Sequence, residues 1–146
     1  MKFLNTILLL LAAVGGYNMF MEHQSAVALQ ALFAGADANG YVDLPSPDDQ
    51  DADTVYVVAA TNCPHEAAQL ADRLAKRLSD QGMPVQRIDH VSFRPRQVSR
   101  EEMQRLSVVM KAPLPLVFIH GRVASNPAHG QVVQEYYRRW MKPARS

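Results

Sequence analysis

Hydrophobic positions follow three regimes along the chain. From Phe3 to Met21 they are nearly continuous, with Ile7-Leu8-Leu9-Leu10-Leu11-Ala12-Ala13-Val14 at the centre. Over residues 24–36 they thin to Val27, Leu29, Leu32 and Phe33, a spacing that prolongs a helix. From Thr54 onward, short solid runs alternate with helical stripes. Thr54-Val55-Tyr56-Val57-Val58-Ala59 is β-branched and suits a strand buried on both faces. Thr61-Asn62-Cys63-Pro64 breaks it, and Pro64 fits the first position of a helix. Leu70, Ala71, Leu74, Ala75 and Leu78 form a helical stripe that Gly82 stops. Pro84–Asp89 reads as a second strand.

Ser99 with Glu102 is a capping box, opening a helix predicted to turn Met103, Leu106, Val109 and Met110 inward. Ala112-Pro113-Leu114-Pro115 leads to a strand over Leu116-Val117-Phe118-Ile119. His120-Gly121-Arg122 then turns the chain into a return strand near Val123. Asn126 is expected to cap, and Pro127 to begin, a last helix with Val132, Val133, Tyr136, Tyr137 and Trp140 as its apolar positions. The order β-α-β-α-β-β-α implies an α/β fold, a small mixed sheet with helices on its faces.

The N-terminal segment reads as an export element. Nineteen residues of helix from Phe3 to Met21 rise roughly 28 Å, close to the hydrocarbon thickness of about 30 Å. Lys2 before the stretch and Glu22 after it favour an inside N-terminus with the rest exported. Ala13 and Gly15, or Val14 and Gly16, fit the small-residue positions of a signal-peptide cleavage site, while Met19, Phe20 and Met21 argue for a retained anchor. A buried N-terminal helix is the remaining alternative. Asp37–Asp53 holds six aspartates, no base, Asn39-Gly40 and two prolines, the composition of a solvated linker. Its glycine and acids do not match an EF-hand. The predicted organisation is residues 1–22 as anchor or signal, 23–53 as helical extension and acidic linker, 54–142 as the folded domain and 143–146 as a tail.

Composition changes this picture little. The 146 residues carry a formal charge of +1, which gives no reason to expect nucleic acid as a partner. The total conceals an asymmetry: residues 1–53 hold one base against seven acids, and residues 54–146 hold 14 bases against seven acids. Arg138, Arg139, Lys142 and Arg145 form a basic end that suits the helix dipole, the acidic Asp37–Asp53 segment or an anionic lipid surface. The lone cysteine, Cys63, excludes a disulfide framework within the chain. Cys63 and His65 lack a second pair of ligands, and His23, His90, His120 and His129 are expected at the surface, so no metal site is predicted.

Asn62-Cys63-Pro64-His65-Glu66 at a helix start, Leu114-Pro115 ahead of the next strand, His120-Gly121-Arg122 and the element order together resemble the thioredoxin superfamily, with a size closest to the glutaredoxin-like family. The similarity spans roughly Asp53 to Tyr137. It implies a thioredoxin-like fold of glutaredoxin topology, with Cys63 in the nucleophile position and Pro115 in that of the cis-proline. Pro64, His65, Leu114 and Pro115 then border the substrate. It further implies a monothiol thiol–disulfide oxidoreductase of the bacterial cell envelope. Such a protein is anchored at the inner membrane with its domain in the periplasm, or is secreted there after cleavage. Its partners are a protein or glutathione thiol or disulfide; glutathione enters as co-substrate, and no bound cofactor is implied.

The departures are specific. Glu66 replaces the second cysteine, Ser125-Asn126 stands where glutaredoxins usually carry Gly-Gly, and no base precedes Cys63 in Ala59-Ala60-Thr61-Asn62. The last two weaken the case for glutathione.

At a helix N-terminus, backbone N–H groups and the helix dipole favour a thiolate; a protonated His65 acts in the same direction, and Glu66 opposes both. The competing reading is a helix start in which Cys63 is a small structural residue, leaving a non-catalytic module that binds a partner protein at the membrane. An exported lone thiol also allows a disulfide-linked homodimer.

Overall fold

The β-branched run at Thr54 forms the middle of a sheet. The computed structural model describes residues 2–45, 47–48, 50–61, 65–94 and 98–141; the side chains of 2–13, 65 and 140 lie outside that description. Within it, the elements are α1 (Lys2–Ala34), β1 (Val42–Asp43), β2 (Val55–Val58), α2 (His65–Asp80), β3 (Val85–Ile88), α3 (Arg100–Val109), β4 (Leu116–Ile119), β5 (Arg122–Ser125) and α4 (His129–Met141). The strand order is β1-β5-β4-β2-β3. β2 runs parallel to β3 and antiparallel to β4, and β5 is antiparallel to both β4 and β1. This is the mixed sheet expected from the element order, with one strand more.

Strand side chains alternate between two cores, as a period of two requires. Val55, Val57, Val117 and Ile119 pack with Ala71, Leu74 and Leu78 of α2 and Val132 of α4. Tyr56, Val58, Leu116 and Phe118 face the other way, onto Leu106 and Val109 of α3 and Leu29, Leu32 and Phe33 of α1. The four residues of β2 and the four of β4 are all buried.

Local signals shape the connections. The Met83 N–H reaches the Leu78 carbonyl (3.2 Å) and the Gly82 N–H that of Ser79 (2.9 Å), with Gly82 at φ +80°, so α2 ends in a Schellman motif. Ser99 and Glu102 make both bonds of the capping box (3.2 and 2.8 Å). The backbone N–H of Ser99, chief among these bonds, holds the Glu102 carboxyl below its ordinary pKa. His120 and Gly121 both have positive φ, the requirement of a two-residue type I′ hairpin.

Four expectations are corrected. Asp37–Asp53 is not a solvated linker: Tyr41, Val42 and Leu44 are buried, and Val42–Asp43 adds a strand beside β5. The segment then crosses toward β2, where the Asp48 N–H meets the Ser92 carbonyl and the Asp51 N–H the Tyr56 hydroxyl (both 2.8 Å). Met103 and Met110 are exposed, because the inward face of α3 is narrow. It runs through Leu106 and Val109, and Met110, at the C-cap, is turned about 100° from Val109. Asn126 does not cap α4. It sits at φ +44° and donates its N–H to the Pro115 carbonyl (2.7 Å), while the Gln131 side chain accepts the Ala128 N–H (2.7 Å) at the true helix start. Tyr137 is exposed, whereas Val132, Val133 and Tyr136 pack inward as expected; the Trp140 side chain lies outside the described residues.

α1 is continuous over 33 residues, confirming that residues 24–34 prolong the N-terminal helix. Among the described residues no helix is long and apolar enough to cross a membrane; the side chains of Ile7 to Ala13, within the most apolar stretch, lie outside that set.

Leu78 is fully buried and Met110 is not, so their truncations should separate. Leu78→Ala is expected to destabilise by about 2–5 kcal/mol and Met110→Ala to stay within about 0.5 kcal/mol, read from urea unfolding followed by circular dichroism.

Candidate functional site

Two ends of the sheet carry the chemistry. At one end, Val58 pairs with Leu116, and Leu116 with Ser125. The end of β2, the start of β4 and the end of β5 therefore lie side by side. Leu114 and Pro115 stand just ahead of β4, joined by a cis peptide, the isomer that the resemblance implies for Pro115. The Pro115 ring is fully buried, and Leu114 packs against both cores. The loop is held from β5: Ser125 Oγ donates to the Pro113 carbonyl (2.7 Å), and the Asn126 N–H to that of Pro115. The backbone of Leu114 has no hydrogen-bond partner among the described residues.

α2 begins at His65, in the connection that leaves β2 at this same end. Its first turn contains Glu66, which is exposed. Cys63, Pro64 and the His65 side chain lie outside the described residues. Of the predicted site residues, Leu114 and Pro115 are thus brought together at the end of the sheet from which the Cys63 segment departs.

At the opposite end, Ile119 pairs with Arg122 and Asp43 with Arg122 across the edge. Here the Arg122 side chain, 15% exposed, collects four acceptors. Nη1 donates to Asp37 Oδ2 (2.7 Å) and Glu135 Oε1 (2.5 Å), Nε to Asp43 Oδ1 (2.8 Å), and Nη2 to the Tyr41 carbonyl (3.1 Å). Arg138 bonds Asp37 and lies 3.4 Å from Glu135 Oε2. Asp37 Oδ1 also accepts the N–H groups of Asn39 and Tyr41 (both 3.0 Å), closing the 37–41 turn around Gly40 at φ +79°.

The protonation states follow from these contacts. Burial pushes the Asp37 carboxyl upward, but the Arg122 hydrogen bond and the Tyr41 and Asn39 N–H groups outweigh it and hold the pKa at about 2. Burial works against the charge of Arg122, yet the carboxylates of Asp37, Glu135 and Asp43 more than offset it, leaving the guanidinium harder to deprotonate than usual. Burial, with Glu135 and Asp37 nearby, pushes the Tyr41 hydroxyl far up, so it stays neutral.

His120 is a correction to the surface assignment: its side chain is 14% exposed and its ring stacks on Tyr136 at 6.1 Å. Nε2 is buried, 3.9 Å from Asp53, with no hydrogen-bond partner among the described residues. Burial, and then Arg139, lowers its pKa against the opposing pull of Asp53 and Glu135. His23 and His90 are exposed as expected, whereas His129 is half-buried and pairs with Gln81 Oε1 (3.1 Å). The basic end meets the acidic segment, Arg138 on Asp37 and Arg139 on Asp53 (2.8 Å), whereas Lys142 and Arg145 lie outside the described residues.

The Arg122 cluster was not anticipated. Its signal was Glu135, a carboxylate between Val132 and Tyr136 on an otherwise apolar helix face, which requires a buried cation. Comparison with known proteins leaves the geometry to speak for itself: no family model, no curated protein and no solved structure matches the chain.

Arg122→Met removes the more buried of the two guanidinium groups that Asp37 and Glu135 share and leaves them the more exposed Arg138. It is expected to destabilise by about 3–5 kcal/mol in urea unfolding. His120 has a lowered pKa in the fold, so the unfolded chain binds the proton more readily. Its share of stability is therefore complete above the ordinary histidine value of about 6.5 and is lost as pH falls below it. Unfolding midpoints measured between pH 5 and pH 8 should decline on the acid side, and less steeply in His120→Gln.

Proposed function

We propose that residues 54–142 form a thioredoxin-like domain of glutaredoxin topology that exchanges thiols with disulfides through Cys63. One observation carries this reading: Val58 pairs with Leu116. The connection from β2 to α2, which contains Cys63 in sequence, thereby leaves the sheet beside Leu114 and Pro115. The parallel β2–β3 pair flanked by antiparallel β4 and β5 supports the same topology. The Leu114 backbone, without a partner among the described residues, offers an N–H and a carbonyl to an extended substrate.

In the reaction, the Cys63 thiolate attacks one sulfur of a partner disulfide. A bond forms between them, the original S–S bond breaks, and the other sulfur leaves as a thiolate that water protonates. Glu66 occupies the place of a second cysteine, so the mixed disulfide is opened by an external small thiol such as glutathione. That thiol bonds to the sulfur attached to Cys63 and releases the Cys63 thiolate. The apolar N-terminal part of α1, exposed at Val14, Tyr17, Met19 and Phe20, serves as the export element, retained in the inner membrane or cleaved from it.

Glu66 favours a second reading. A carboxylate in the first turn of α2 disfavours a thiolate at the helix mouth, and the same sheet end then binds a partner protein without reacting.

Iodoacetamide labelling of the folded full chain across pH, paired with turnover of bis(2-hydroxyethyl) disulfide and a small thiol, separates the two. Oxidoreductase function predicts labelling of native Cys63 with an apparent pKa below the model thiol value of about 8.5, and turnover that Cys63→Ser abolishes. Labelling only after unfolding, with turnover no greater than that of Cys63→Ser, overturns it in favour of the binding module.

A further inference from the structure

Beside Pro115 lies a groove of about 350 Å³ whose chemistry thiol exchange leaves unused. Leu70, Arg73, Leu74 and Arg77 of α2 form one wall, and Pro115 with residues 126–129 the other. Its floor is apolar, with Leu74 and the Pro115 ring buried, while Arg73 and Arg77 are exposed at its rim. Arg87, Arg105, Arg122, Arg138 and Arg139 each hold a carboxylate. The acids nearest in α2 are engaged elsewhere, Asp72 by Arg87 and Asp80 by Lys76. Among the described residues, neither Arg73 nor Arg77 has a carboxylate partner.

We infer that this groove docks an extended acidic segment of a partner polypeptide, its carboxylates on Arg73 and Arg77 and its apolar side chains on Leu70, Leu74 and Pro127. This names the partner class of the proposed site and so rests on that function, while the docking itself needs no thiol. Spacing supports an extended chain. Side chains four apart on a helix are about 5–6 Å apart at Cβ, and alternate residues of a strand are separated by about 6.7 Å on the same side. Guanidinium groups receive carboxylates through paired hydrogen bonds, which suits a side-chain acid better than diffuse negative charge.

The test uses the full chain carrying Cys63→Ser in neutral detergent. The probe is a fluorescein-labelled nonapeptide alternating glutamate and valine, followed by anisotropy, with its glutamine counterpart as comparison. The glutamate peptide is expected to bind at least ten-fold more tightly and to weaken at raised salt. Arg73→Gln with Arg77→Gln should abolish that preference without changing the melting temperature, while Lys76→Gln on the same helix keeps it. Equal binding of the two peptides by the otherwise unaltered chain overturns the inference, whatever the stability of the arginine variant; so does a preference that survives in that variant. Failure of thiol exchange instead shows as absent turnover with peptide preference intact.

Discussion

The guanidinium of Arg122 is the point on which the peripheral architecture depends. It follows a tight hairpin in β5 and is tied at once to the 37–41 turn, to β1 and to α4 through four hydrogen bonds. Those groups are far apart in sequence, and the edge strand β1 that they hold has only two residues. Charge pairing in a partly buried place gains less net stability than its geometry suggests, because both ions are desolvated. Its effect is selective: only one arrangement of the turn, the strand and the helix leaves Glu135 and Asp37 satisfied. The edge strand is thereby fixed against β5 by polar geometry added to the packing of Val42 and Leu44, and the central strands by apolar packing.

The central sheet was legible because its residues have few alternatives. Val55–Val58 and Leu116–Ile119 are solid β-branched or apolar runs, and Gly82, the Ser99–Glu102 pair and His120-Gly121 punctuate the chain in ways that local chemistry enforces. The acidic segment was misread for a physical reason. Its six aspartates dominate composition, yet burial there is decided by Tyr41, Val42 and Leu44, whose partners lie some eighty residues away. The α3 methionines failed differently: a helical stripe specifies a face, but not how wide a sheet waits beneath it. His120 and Asn126 were misplaced because both adopt left-handed backbone, which residue type alone does not specify.

At the proposed site, the neighbourhood is better defined than the nucleophile. Leu114 and Pro115 were singled out by the resemblance, and strand register brings them to the end from which the β2–α2 connection departs. The groove below them was not legible. It needs Leu70 and Arg73 of one helix to meet Pro127 and the first residue of α4, His129, more than fifty residues later. Helical spacing alone reads Arg73 and Arg77 as a solvated face; their lack of carboxylate partners among the described residues, beside an apolar floor, is a three-dimensional fact.

The links between Asp37 and Arg138, and between Asp53 and Arg139, span 101 and 86 residues. They bear on the order in which the molecule assembles during synthesis. The acidic segment leaves the ribosome before its cationic partners, which belong to α4. β2, α2, β3, α3 and β4 can pair by contacts of shorter range before that helix exists, whereas the edge strand has to wait for α4. Closure of the sheet's β1 edge thus follows the synthesis of α4, and a nascent or truncated chain lacking α4 leaves the β5 edge open to strands from other molecules.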